Sequence, residues 1–418
     1  MLETVRNAWK IGELRQRIIF TLLMLVVFRV GAHVPIPGID PGKLADFFRE
    51  DNLFGLYNVI SGGALSKFTI FAMGIMPYIN ASIIVQLLTV VIPKFKEWSE
   101  EGVEGRKKMV QVIRYGTVGL ALLQATGMTF SLIQPAIIER STPAYLVIII
   151  SLTAGTAFLM WLGELITEKG IGNGISLLIF AGIVAGFPSG AGQIIELIRL
   201  GEARLLVLIP VILVMLGLIV GIIALDVGRR RIPVQYAKRV VGRRMYGGQS
   251  THIPLKVNQA GVIPVIFASA ILMFPATLAM FINHPIAQSI ASALDWGTLL
   301  NTILYAAFII LFTFFYTAIQ FDPMKVAGDI KKYGGFIPGL RPGRPTAEYL
   351  SRISNKLTLV GAVSLAIICV LPIILQGVTR LNLIFSGTGL IIIVGVILET
   401  MRQIESHMLM RNYQGFMK

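Results

Sequence analysis

The sequence predicts an all-α polytopic membrane protein of about ten transmembrane helices, arranged as two inverted halves of five. Three observations carry that prediction. The 418 residues are 55% hydrophobic and only 14% charged, with a mean hydropathy of +0.76, where a soluble chain carries about 25% charged residues. Apolar runs long enough to cross a bilayer recur along the chain. Finally, Lys and Arg divide unequally between alternate loops, 29 on one side and 7 on the other, with Arg29 inside a span. The positive-inside rule makes the rich side cytoplasmic, so both termini and both long loops face the cytoplasm.

Residues 1–17 are basic and alternate apolar with charged side chains, as a helix lying on a membrane surface does. The first span, about 18–34, lacks a small-residue cleavage site, so a retained span is expected rather than a cleaved leader. The run 54–93 is unusual. Its part from Leu56 to Leu65 is too short to span and is broken by Gly62 and Gly63, while about 71–92 is an uncharged span. A short, half-apolar segment leading into a span has the pattern of a re-entrant element, tolerated at membrane depth only beside protein or water. It reads as a plug against a pore-lining helix, the alternative being a loop before a lipid-facing helix. Ile79 and Ile83, four apart, share one face of that helix.

A charged hairpin, 94–108, leads to spans at about 112–133, 144–162, 175–192 and 205–225. The loop 228–256 then holds eight Lys and Arg and no acid; its alternating RRRIPVQYAKR stretch reads as an extended ribbon or hairpin. Spans at about 261–282 and 298–321 precede a second loop, 322–356, with seven basic residues against three acids and no obvious helix. Spans at about 357–378 and 381–398 complete the set. Five spans lie in 1–200 and five in 201–418, and an odd number per half makes any internal repeat an inverted one.

Chemistry-bearing residues are sparse. The single cysteine, Cys369, sits in an apolar run and is expected to be a buried, inert thiol. The four histidines are far apart, so no metal site is expected. Arg29 and Glu164 lie near span ends, where snorkelling to the interface accounts for them. No acid or histidine pair sits mid-membrane, which argues against a proton-coupled transporter and an aspartyl protease. Neither a G-x-S-x-G elbow nor a P-loop occurs, so neither an enzyme nor a cofactor is expected. The spans offer other features. Ile175 and Ile179 repeat the spacing of Ile79 and Ile83, just after the breaker Gly170-Ile171-Gly172-Asn173-Gly174. Pro264 and Pro275 remove backbone hydrogen bonds and invite bending. The basic loops suit an acidic partner, whether RNA, anionic lipid headgroups or an acidic protein surface. From these residues alone, a channel and a secondary transporter of a small solute both stay open.

Specific motifs decide between them. SGGALS (61–66), IFAMGIMPYINASIIVQLLT (70–89), EGRKK (104–108) and ITEKGIGNGISLLIFAGIVAG (166–186) occur in order, followed by YAKRVVGRRMYGGQSTHIPLKVNQAGVIPVIFAS (236–269) and GGFIPGLRPGRPTAEYL (334–350). With these the chain resembles the SecY family, the channel-forming subunits of the bacterial Sec protein translocon. It departs from the common pattern in short outer loops and a short C-terminal tail. The resemblance implies an hourglass channel in the bacterial cytoplasmic membrane that translocates secretory polypeptides and releases membrane segments sideways. It implies a pore ring of Ile79, Ile83, Ile175, Ile179, Ile266 and Ile392. The plug would be Tyr57, Asn58, Val59, Ile60, Ser61, Gly62, Gly63, Ala64 and Leu65, within about 54–70. Gln86 and Phe274 would belong to the lateral gate and its control. Arg243, Arg244 and Arg341 would meet the ribosome, its RNA included, or the SecA motor ATPase. Small SecE and SecG type subunits, signal sequences and lipids are the other implied partners.

Overall fold

The computed structural model describes residues 6, 8–40, 61–131, 134–199, 205–236, 239–241, 244–246, 250–281, 293–294, 297–379 and 387–416. The helices run in order as α1 (Gly12–Gly31), α2 (Met76–Val91), α3 (Pro93–Glu100), α4 (Val103–Ser131), α5 (Thr142–Lys169), α6 (Gly174–Ala185), α7 (Phe187–Arg199) and α8 (Leu205–Val227). After strands β1 (Arg229–Tyr236), β2 (Arg239–Val241), β3 (Arg244–Tyr246) and β4 (Ser250–Lys256) come α9 (Ile263–Phe281), α10 (Leu299–Gln320), α11 (Pro323–Lys332), β5 (Gly335–Phe336), α12 (Arg344–Thr379) and α13 (Gly387–Phe416).

Each of the ten expected spans falls on one of these helices: α1, α2, α4, α5, α6, α8, α9, α10, α12 and α13. By length and apolarity alone, five helices among the described residues suffice to cross a bilayer, or six with the bent α2–α3 pair. α1 carries Glu13, Arg15, Arg17 and Arg29, and α6 is only 12 residues long. Those two owe their stability to protein neighbours as well as to lipid. The outward faces are apolar: Leu213 and Val220 on α8 are 63% and 66% exposed, which suits hydrocarbon and not water.

The helices meet along two seams. α1, α2, α4, α5 and α6 pack among themselves, as do α8, α9, α10, α12 and α13. Between the groups, α13 lies broadly against α6, whereas α9 touches α2 and α4 more sparsely. One polar tie crosses on the α13 side, and a second fixes α13 within its own group. Gly172 N–H donates to Gln403 Oε1 at 2.9 Å, and Arg402 Nη2 reaches Asp226 Oδ2 at the end of α8 at 2.6 Å.

Several expectations are corrected. The second span begins at Met76 and not at Phe71: residues 61–75 form successive turns. Pro77 sits in the first turn of α2, where its missing amide costs nothing. The fifth expected span is broken at Gly186 into α6 and α7. The 94–108 hairpin contains α3, which turns away from α2 by 102°. Pro264, at the second position of α9, removes no helical hydrogen bond, because first-turn amides have no partner there. The 322–356 loop is largely helical. Asp322 Oδ1 accepts from the amides of Met324 and Lys325 at 2.9 and 3.2 Å, capping α11, and Pro323 follows at the first position.

The 228–256 loop is the expected ribbon. β1 and β4 pair antiparallel from Arg229↔Lys256 to Gln235↔Ser250, and β2 pairs with β3 farther out. β5 adds to the other edge of β1 through Gln235↔Phe336 and Tyr236↔Gly335. Ile232 and Val234 alternate inward and join Leu255, Ile330, Ile337 and Leu350 in a small apolar core. The two basic loops thus form one platform.

Candidate functional site

A cavity of about 840 Å³ opens among α2, α4, α5, α6 and α9. Most of its lining is apolar and includes Ile79, Ile175, Ile179 and Ile266, while Gln86, Arg106, Lys107, Arg114, Glu164, Glu168 and Asn173 supply polar and charged groups. The basic residues place its mouth on the side rich in Lys and Arg.

Local sequence sets the isoleucines there. Asn173 caps α6, its Oδ1 accepting from Ile175 N at 3.1 Å and Ser176 N at 3.3 Å. Gly174 N–H is taken by Thr167 Oγ1 at 2.9 Å, and Ile171 N–H by Thr21 Oγ1 at 3.0 Å. The Gly170–Gly174 breaker is therefore a nest of backbone bonds that starts α6 with Ile175 in its first turn and Ile179 one turn on. On α2, Ile79 and Ile83 both point inward, at 7% and 4% exposure. Ile83 and Ile392 do not line the cavity. Yet all six isoleucines belong to one apolar cluster, with Ile175 and Ile266 at its less buried edge. On α13, Leu390, Ile391, Ile392 and Val394 are all buried, so the helix offers several apolar side chains at that level.

Gln86 faces the cavity, its Nε2 donating to Ser82 Oγ at 3.4 Å one turn away. Arg114 and Glu164 form a two-point ion pair at 2.9 and 2.6 Å across α4 and α5. Arg29 donates from Nη1 to the carbonyl of Gly62 at 2.8 Å. Neither Arg29 nor Glu164 needs snorkelling as its explanation, since each meets an internal partner; sequence spacing offers no signal for pairs 33 and 50 residues apart.

Of the plug assignment, Ser61, Gly62, Gly63, Ala64 and Leu65 are described. Ser61, Ala64 and Leu65 are buried, and Gly62 and Gly63 are partly so. Tyr57, Asn58, Val59, Ile60 and Arg243 lie outside the described residues. Phe274 lies on α9 and Arg244 opens β3, both described as backbone. Arg341 is exposed on the platform, in the turn before α12. Cys369 is buried at 1% exposure. No group of His, Cys, Asp and Glu able to hold a metal occurs among the described residues.

A protein-family model described as SecY matches residues 69–401. The protein translocase subunit SecY of Halalkalibacterium halodurans is 49% identical over 432 residues, covering 100% of both chains. Among solved structures, a SecY whose plug domain stabilises the closed state of the translocation channel superposes with a TM-score of 0.67 at 19% identity, covering 94% of this chain and 92% of that one. Sec61 from the canine ribosome-channel complex superposes with a TM-score of 0.63 at 16% identity, covering the same shares.

Proposed function

The chain belongs to the SecY family and is a protein translocation channel, and we propose that its six clustered isoleucines form the waist through which the polypeptide passes. The observation that carries this reading is the cavity, charged at its mouth and lined within by Ile79, Ile175, Ile179 and Ile266. Ile83 and Ile392 continue the same cluster, which also takes in Ala64. A constriction of branched aliphatic side chains dewets and resists ions. It also yields to any passing chain, because its contacts are non-directional.

The thin seam between α9 and the pair α2–α4 is the place for a lateral gate, with α10 behind α9 and Gln86 in its wall. The broader α13–α6 seam would act as the hinge side. A nascent segment of ~20 apolar residues then leaves sideways into lipid, and a polar one continues across. We place the channel in the bacterial cytoplasmic membrane with both termini and the platform inside, on the strength of the Lys and Arg asymmetry. The two halves, 1–200 and 201–418, would be the units that part.

The platform would dock whatever drives the chain. Arg243, Arg244 and Arg341 suit the phosphates of ribosomal RNA or an acidic surface on the SecA motor, and SecE and SecG type subunits and lipid would cover apolar outer faces such as that of Leu213 and Val220. The channel itself is proposed to perform no covalent chemistry. Ion conductance of the resting channel tests the waist. Replacing Ile83 or Ile179 with Asn should raise resting conductance several-fold, and an unchanged, sealed channel would remove both from the ring.

A further inference from the structure

We propose that Arg29 of α1 is the latch that holds the plug closed at Gly62, and that the plug moves about a fixed root at Phe68–Met73. The proposal rests on reading 57–65 as the plug.

Arg29 sits in the last turn of α1, half-buried, and no carboxylate among the described residues pairs with it. Its Nη1 donates instead to the carbonyl of Gly62 at 2.8 Å. A guanidinium kept inside a membrane protein for one backbone carbonyl is costly unless that bond has work to do. Gly62 has φ +69°, a conformation that glycine adopts without strain. Gly62 also meets α6 so closely that a Cβ there would stand 3.0 Å from Gly182 Cα and 3.6 Å from Arg29 Nη1. Gly62 thus rests against Arg29 of α1 and Gly182 of α6 together.

The root is held quite differently. The Phe71 ring stacks between Phe28 on α1 and Phe158 on α5, with centroids at 6.1 and 5.9 Å and planes within 12°. Phe68, Ala72 and Met73 are buried against Ala121, Ala125, Ile148 and Leu152 of α4 and α5. Gly155 of α5 lies directly against the backbone of Ile70, leaving no room for a side chain. These apolar contacts persist when α6 shifts, while the single polar contact of Arg29 depends on where Gly62 rests. Gly182 follows Ile179 by three residues, so it lies on the adjacent turn of the same side of α6. A polypeptide that pushes Ile179 aside moves the surface supporting Gly62 and draws its carbonyl off Arg29. Entry at the waist thereby releases the plug.

The test compares resting open probability of the full-length channel in planar bilayers for four forms: unaltered, Arg29→Met, deletion of 57–65, and both changes together. Met keeps the stem and inserts readily into a membrane, and Arg29→Gln provides a second variant should Arg29→Met fail to accumulate. Loss of a charge-assisted hydrogen bond should raise open probability roughly tenfold to hundredfold. The deletion should raise it as well, and the combined form should leak no more than the deletion alone. A substituted channel as tight as the unaltered one, beside a leaky deletion, overturns the latch and leaves the plug reading intact. Leaks that add in the combined form overturn it too, since Arg29 would then act elsewhere. A tight deletion removes the plug reading and the latch with it.

Discussion

Arg114 on α4 holds Glu164 on α5 by two hydrogen bonds, Nε to Oε1 at 2.9 Å and Nη2 to Oε2 at 2.6 Å, and both side chains face the cavity. The pair ties a proposed gate helix to the body of its own half, so that the proposed gate would part between α9 and α4 and not between α4 and α5. The two side chains keep 49% and 21% of their exposure, which limits the pair to about 1 kcal/mol. A double-mutant cycle with Arg114→Gln and Glu164→Gln, read by thermal unfolding of the purified channel, should give a coupling of that size that shrinks as salt rises. Additive single effects would make the contact incidental to how α4 is held.

Arg341 projects from the platform, exposed, while its carbonyl accepts from Thr346 Oγ1 at 2.9 Å. The side chain is free to meet a partner and the backbone bond survives its replacement. Arg341→Glu should therefore reduce motor-driven export roughly tenfold through charge reversal at an interface, with the melting profile of the channel unchanged. Full export by that variant would take Arg341 out of the contact.

Phe71 stacks on both Phe28 and Phe158 at the proposed root of the plug and is 2% exposed. Phe71→Ala leaves a cavity between α1 and α5 and should destabilise the chain by about 3–5 kcal/mol. Thermal unfolding reads this directly, and a shift of a degree or less would mean that the segment is not anchored there.

Cys369 lies at 1% exposure beside the helix α13. A maleimide should label it at least roughly a hundredfold more slowly in the folded channel than after denaturation, because the reagent must wait for an opening of the helix bundle. Rapid labelling of the native channel would show that the packing around α12 is looser than described.

Much of this was legible in the sequence, for reasons that differ by element. The spans followed from apolar length, and the β1–β4 ribbon followed from alternation around Ile232 and Val234. The isoleucine pairs on α2 and α6 could be found because their spacing is local. Three things escaped that reasoning. Residues 71–75 are as apolar as the helix they precede, so the start of α2 depends on the packing of Phe71 and not on composition. α11 hid in a charged loop, although Asp322-Pro323 is a capping signal that could have revealed it. The partners of Arg29 and Glu164 are tertiary, and no periodicity announces a guanidinium that reaches the carbonyl of Gly62.

The most direct test of the account is a crosslink at the waist. With Cys369 replaced by Ser and a single cysteine placed at position 83, a secretory chain bearing its own cysteine is stalled midway through the channel. The account predicts a disulfide between that chain and position 83, and none with a cysteine at position 213, where Leu213 is 63% exposed on the outer face of α8. If the chain is exported normally and never bonds to position 83, the polypeptide travels elsewhere, and the ring, the plug and the latch are all contradicted.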